Sequence, residues 1–134
     1  METERSEEPI LLRNTMSYEA RHADDFEQAI REAVRFAKER APQLMVQVFI
    51  DRARRLCYSF QLYANSSDVI RHWQVSDPHI ADVMRYCVVQ SLEVYGSPSE
   101  AVREGILRAV GREKATFVPG LIGFHRFPST GTDA

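Results

Sequence analysis

The densest set of chemically capable side chains in this sequence is the run His72-Trp73-Gln74-Val75-Ser76-Asp77-Pro78-His79. Two imidazoles and a carboxylate at this spacing are the ligand types of a transition-metal site, or the members of an acid–base pair. A strand running into a helix start would bring His72, Asp77 and His79 together, with Cys57 or Asp82 as further ligands on offer. A simpler reading needs no site: Ser76 or Asp77 caps a helix and His79 sits exposed in its first turn.

Other candidates are weaker in chemistry. Cys87 falls on the apolar stripe of an expected helix, which predicts an inert buried thiol rather than a nucleophile. Cys57 lies on a more open face, but no base accompanies it. Arg52, Arg54 and Arg55 form the one basic cluster, in a loop where guanidinium groups can grip phosphates or carboxylates or simply meet water. No phosphate-binding glycine loop, HExxH, GxSxG or SxxK pattern is present, and the sequence calls for no cofactor or metal.

The elements that would position these groups follow from patterning. Residues 1–16 read as a flexible acidic arm, with four Glu against one Arg in the first eight positions. A helix is predicted over 17–40, with Phe26, Ile30, Ala33 and Ala37 on one face and Ala41-Pro42 ending it. Strands at 44–50 and 56–63 form a hairpin around the arginine loop, and a third strand is predicted over 69–75. Ser76-Asp77-Pro78 then opens a second helix to about residue 95, and Ser97–Glu100 caps a third that Gly111 ends. Pro119-Gly120 separates 115–118 from 121–127, a C-terminal hairpin or extended arm, and 129–134 reads as a disordered tail. Residues 17–128 thus form a single α+β domain. The expected architecture is a two-layer sandwich, an antiparallel sheet of three to five strands with helices on one face, in the order α-β-β-β-α-α-(β-β).

Strand alternation divides the predicted sheet into an apolar face and a mixed one. The mixed face gathers Gln47, Phe49, Gln61, Tyr63, His72 and Gln74, a blend suited to a partner or dimer surface.

The segment Tyr95-Gly-Ser-Pro-Ser-Glu-Ala-Val-Arg-Glu-Gly-Ile-Leu-Arg-Ala-Val110 resembles the second-helix entry of ParD-type ribbon-helix-helix antitoxins. The similarity extends over 69–111, where a strand and two helices are predicted in that family's order. It implies a dimer whose paired strands enter the DNA major groove, with His72 and Gln74 reading bases and the helix start near residues 97–100 approaching a phosphate.

Composition narrows the classes. A net charge of −2 and a nearly neutral remainder beyond the acidic leader argue against a protein that binds polyanions by charge alone. Arginine outnumbers lysine fifteen to two, as GC-rich bacterial coding favours. The two cysteines form no paired framework, and no apolar run approaches a membrane span, so a reducing cytoplasm is expected and a membrane partner is not. These features favour a non-enzymatic bacterial regulatory or adaptor protein that binds another protein, self-associating as a homodimer. A DNA-binding repressor or antitoxin is the first alternative, with nucleic acid as partner. A small enzyme or metal protein using His72, Asp77 and His79 is the second.

Overall fold

Alternation of Ile10, Leu12 and Met16, all buried, makes residues 10–17 a strand, and it occupies the middle of the sheet. In the computed structural model, which describes residues 8–126, β1 (Ile10–Ser17) is followed by a 3-10 turn (Ala20–His22) and α1 (Ala23–Arg40). Then come β2 (Met45–Asp51), β3 (Leu56–Tyr63), α2 (Ser66–Met84), β4 (Val88–Tyr95), α3 (Glu100–Val110) and β5 (Ala115–Val118). The sheet order is β2-β3-β1-β4-β5, antiparallel except for the β4/β5 pair joined through α3. The fold is α+β, with the helices packed on one face of a five-stranded sheet.

The class agrees with expectation, but several elements are corrected. Residues 10–16, expected in the flexible arm, form β1, and Ser17 ends that strand instead of opening a helix. The acidic leader (1–7) and the expected tail (129–134) lie outside the described residues.

The strand predicted over 69–75 lies within α2. Val69, Trp73, Ser76, Ile80 and Val83 recur at helical spacing, and Val69, Ser76 and Val83 are buried. Asn65 caps the helix, its Oδ1 accepting from the Asp68 amide at 2.9 Å. Pro78 sits inside α2 rather than at its start. Proline withholds its bond from the residue four positions back, Gln74, which is exposed, so water can take that carbonyl.

Residues 88–95, expected to continue a helix, form β4 instead. Its pairing with β1 shifts by one residue between Thr15 and Met16, leaving Gln90 as the extra residue of a bulge. The bulge places Val89, Leu92 and Val94 on the buried side, and this uneven apolar spacing mimics a helical stripe.

The third predicted helix is present as α3. Ser99 Oγ accepts from the Val102 amide at 3.3 Å, and Gly111 ends the helix at φ +89°. After β5, residues 121–126 make no strand, so the C-terminal hairpin is not formed there.

Two apolar clusters join the layers. Ile10, Leu12, Tyr63, Val94, Val102 and Ile106 form one, and Met16, Tyr18, Phe26, Val83 and Val89 form the other. Trp73 of α2 packs closely against α3 at Gly105, where a Cβ would stand 2.6 Å from the indole Cζ3. Only glycine permits that approach.

Candidate active site

The β2–β3 register decides which side chains meet beneath the helices. Ile50 pairs with Cys57, Val48 with Ser59 and Val46 with Gln61. Leu56 pairs with Asp51, so the strands sit one residue out of the register assumed from sequence, and each side chain of β3 lies on the opposite face from its expected β2 neighbours. The mixed face predicted from sequence is therefore divided. Gln47 and Phe49 lie on the open face with Tyr58 and Phe60, whereas Gln61 and Tyr63 turn toward the helices. His72 comes from α2 and lines the space above Gln61, and Gln74 is exposed on that helix.

On the helix-covered face, Asn14 of β1 pairs with Ser59 of β3, next to Gln61. These three polar residues form a floor among apolar neighbours. Opposite them, α2 presents His72, Ser76 and His79. The chamber between has a volume of about 120 Å³; Gln43 completes its floor, and the remaining wall is apolar, from α1, α2 and the strands, among them Ile30, Val34, Val48 and Ile80.

One turn of α2 separates His72 from Ser76, and the Ser76 Oγ lies 2.9 Å from His72 Nδ1. Ser76 is 3% exposed, so this hydroxyl is held with little access to bulk water. Burial drives the His72 pKa down to about 4, because the cation cannot be hydrated there. The imidazole is therefore neutral near pH 7, with Nδ1 engaged and Nε2 left for a ligand.

The floor is hydrogen-bonded within itself. Tyr63 Oη donates to Gln61 Oε1 at 2.5 Å, Gln43 Nε2 reaches the same oxygen at 3.3 Å, and Gln61 Nε2 donates to Ser59 Oγ at 3.3 Å. Tyr63 is fully buried, which pushes its phenol pKa up and keeps it a hydrogen-bond donor. Two floor acceptors remain open: Asn14 Oδ1 and Gln43 Oε1 are buried without a protein partner. A buried carbonyl left unpaired is costly, so both oxygens suit a ligand or water that donates to them.

Beside the chamber, a groove of about 420 Å³ runs between α1 and the edge strand β2. The two spaces share Ile30, Val34, Val46 and Val48 as lining. Alone the chamber is smaller than the roughly 300–1,000 Å³ of most small-molecule sites, whereas with the groove the space falls in that range.

Of the residues first considered for chemistry, His72 and His79 thus line one chamber, but Asp77 is exposed and does not join them. His79 instead packs against Phe36 of α1, ring centroids 4.4 Å apart. Among the described residues no group of three or more His, Cys, Asp or Glu is placed to hold a metal ion. Cys57 is fully buried and Cys87 half-buried, and burial raises their thiol pKa values to about 12 and about 11. Two of the three loop arginines are paired: Arg52 forms a two-pronged pair with Glu27 of α1 at 2.9 Å, and Arg54 pairs with Asp51 at 3.6 Å. Sequence reasoning missed Asn14, and it gave Ser76 only the role of a helix cap. The available signal was polar residues at inward positions of apolar elements, but it is readable only once the register is known.

No family model matches the chain, and no curated protein sequence does. Solved structures do. MupZ from Pseudomonas fluorescens superposes with a TM-score of 0.70 at 10% identity, over 89% of this chain and 95% of that one. A protein from Caulobacter crescentus CB15, provisionally named an antibiotic biosynthesis monooxygenase, matches with a TM-score of 0.58 at 17% identity, over 69% and 92%. SnoaB from Streptomyces nogalater, described as a cofactor-independent oxygenase, gives 0.58 at 8% identity, over 69% and 95%. The fold is that of the antibiotic biosynthesis monooxygenases.

These neighbours overturn two expectations. The resemblance of 69–111 to ribbon-helix-helix antitoxins fails because 69–75 is helical and forms no paired ribbon, and the similar structures are of the monooxygenase fold. A non-enzymatic regulatory or adaptor role, and the DNA-binding alternative, also give way, since the neighbours include named oxygenases. Among the described residues no helix is long and apolar enough to cross a membrane.

Proposed function

We propose that this protein is a small enzyme that oxygenates an aromatic molecule bound between the helices and the sheet. The observation that carries this reading is the neutral His72, held through Nδ1 by Ser76 and facing an apolar chamber with unpaired floor carbonyls. Such a site can take a proton from a phenol or from a carbon acidified by a carbonyl. A pKa of about 4 makes His72 a weak base before substrate binds. The anion formed beside it then stabilises the imidazolium, which restores basicity as the proton moves. The resulting carbanion is electron-rich enough to react with dioxygen: a methylene becomes a carbonyl, one oxygen atom enters the product and the other leaves as water. Asn14 and Gln43 would accept hydrogen bonds from the hydroxyl groups of a phenolic substrate and so orient it. Similarity to SnoaB in fold supports this reaction class.

The test is oxygen consumption with 1,8-dihydroxyanthrone, a polycyclic phenol whose ring methylene is acidified by its ketone. Protein-dependent uptake above the spontaneous rate, reduced about a hundredfold or more in His72→Ala, is expected for a positioned base. Uptake equal in the two proteins would remove His72 from the chemistry.

A second reading concerns assembly, and the open sheet face favours it. Met45, Leu62, Leu11, Tyr95 and Val118 form one apolar row across all five strands. Phe49, Tyr58 and Phe60 extend it, and Leu121 and Ile122 stand more than nine-tenths exposed beside it. We propose that a second copy of the chain covers this face, in keeping with the self-association expected from sequence.

A further inference from the structure

The groove beside the chamber differs from it in charge. Its base is apolar, built from Ile30, Val34, Val46, Val48 and Ile50. Its rim carries Arg31, Arg35, Lys38 and Arg52, with Glu27 as the sole acid. Glu27 is occupied by the two-pronged pair with Arg52 and sits 3.7 Å from Arg31. Arg35 and Lys38 have no ion-pair partner among the described residues, and both are exposed on the face of α1 that lines the groove. The acidic residues of α1 outside this face, such as Asp24, Asp25 and Glu39, do not line it. The rim therefore keeps an excess of positive charge on a chain whose net charge is −2.

Resting on the enzyme reading above, we infer that the substrate is an anionic aromatic molecule, its ring system lying along the groove into the chamber and its acidic group held at the rim by Arg35 and Lys38. The geometry has the two parts such a ligand needs. The shared apolar residues bury a planar hydrocarbon body, and cations one helical turn apart meet a carboxylate or sulfonate where it remains partly hydrated. A neutral ring compound would lose the rim contribution, and a purely polar anion would lose the apolar one, so the site discriminates against both.

The probes are 8-anilinonaphthalene-1-sulfonate and its uncharged analogue N-phenyl-1-naphthylamine, both read by fluorescence on binding to the intact protein. The sulfonate is expected to bind more tightly than the neutral dye, with an affinity that falls in high salt. The double variant Arg35→Gln/Lys38→Gln should weaken the sulfonate about five- to tenfold and leave the neutral dye unchanged, as two partly exposed ion pairs would. Val34→Trp fills the shared wall and should displace both dyes. The dyes report binding alone and need no chemistry at His72, so a failure of the oxygenase reading leaves this result interpretable. Should Val34→Trp unfold, which circular dichroism would reveal, displacement of the sulfonate by 1-naphthoate serves in its place. Equal affinity for the two dyes, an unchanged sulfonate affinity in the rim double variant, or binding that survives blockage of the groove would each overturn the inference.

Discussion

The Ser76 hydroxyl and His72 Nδ1 lie 2.9 Å apart on consecutive turns of α2, where Ser76 is buried and His72 half-buried. The pair has a consequence for acid stability. His72 in the folded chain has its pKa lowered to about 4 by burial, whereas an exposed imidazole titrates at about 6.5. The unfolded chain then binds the proton more tightly, so the stability is whole above about pH 6.5 and falls as the pH drops toward 4. The loss is at most about 3 kcal/mol over that interval. Urea unfolding of the parent and of His72→Gln at several pH values checks it. The variant, lacking the titrating group, should show a flatter profile between those limits, and parallel profiles would mean that His72 protonates freely in the fold.

The two thiols supply a second expectation. Cys57 and Cys87 are held at pKa values of about 12 and about 11, mainly because burial disfavours the thiolate. Since the thiolate is the reactive form, both should resist a disulfide reagent at about pH 8 in the folded chain and react promptly in denaturant. Cys57, with no exposure at all, should be the slower of the two. Rapid modification of Cys57 without unfolding would show that the β3 face opens locally.

Arg55 ends the β2–β3 loop at φ +57°, in the left-handed region, and its carbonyl accepts from the Tyr18 amide at 3.3 Å. A residue with a Cβ is strained there and glycine is not. Arg55→Gly should therefore raise stability by about 0.5–1 kcal/mol, read as a higher denaturant midpoint with an unchanged slope. A fall in the midpoint would show that the guanidinium contributes more than its backbone costs.

Much of the fold was legible in the sequence, and the failures have local physical causes. The α1 stripe, the β2–β3 hairpin and the Ser99–Gly111 helix are coded by nearby periodicity and caps, which tertiary context did not override. β1 was hidden because an acidic leader and Pro9 precede a strand whose alternation is short and broken by Asn14. The bulge at Gln90 gave β4 a helical spacing, and Val69, Val75 and Ile70 lent α2 the composition of a strand. The site was half legible. His72, His79 and Gln61 stood out by type, but their meeting with Asn14 and Ser76 depends on a β2–β3 register that differs by one residue from the one the loop suggests.

Gly105 and Trp73 test how α2 is seated, and with it the placement of His72 one residue away. A Cβ at 105 would fall 2.6 Å and 2.8 Å from two indole carbons. Gly105→Ala should therefore cost about 1–3 kcal/mol despite its gain in helix propensity. Trp73→Leu in the same chain removes the colliding ring and should recover part of that loss, a coupling that a double-mutant cycle measures. Additive effects would show that the two helices adjust independently.

The open sheet face gives the last expectation. Phe60 stands at the centre of that face, paired with Arg13 and Gln47 and edge-on to Phe49 at 5.8 Å. Arg13 in turn is bound by Glu93, whose second partner is Tyr95 at 2.6 Å. A second copy laid over this face would bury the aromatic row and would also sequester the Arg13–Glu93 pair, which is worth little while exposed. A cation introduced at position 60 would then face its own copy across a two-fold axis, where like charges are poorly hydrated and repel. Phe60→Arg should consequently convert a dimer into a monomer by analytical ultracentrifugation while leaving the far-ultraviolet spectrum intact. Since His72 lies on the other side of the sheet, dye binding in the groove should persist in that monomer. A parent protein that sediments as a monomer at high concentration would instead leave the apolar row facing solvent and end the case for self-association through this face.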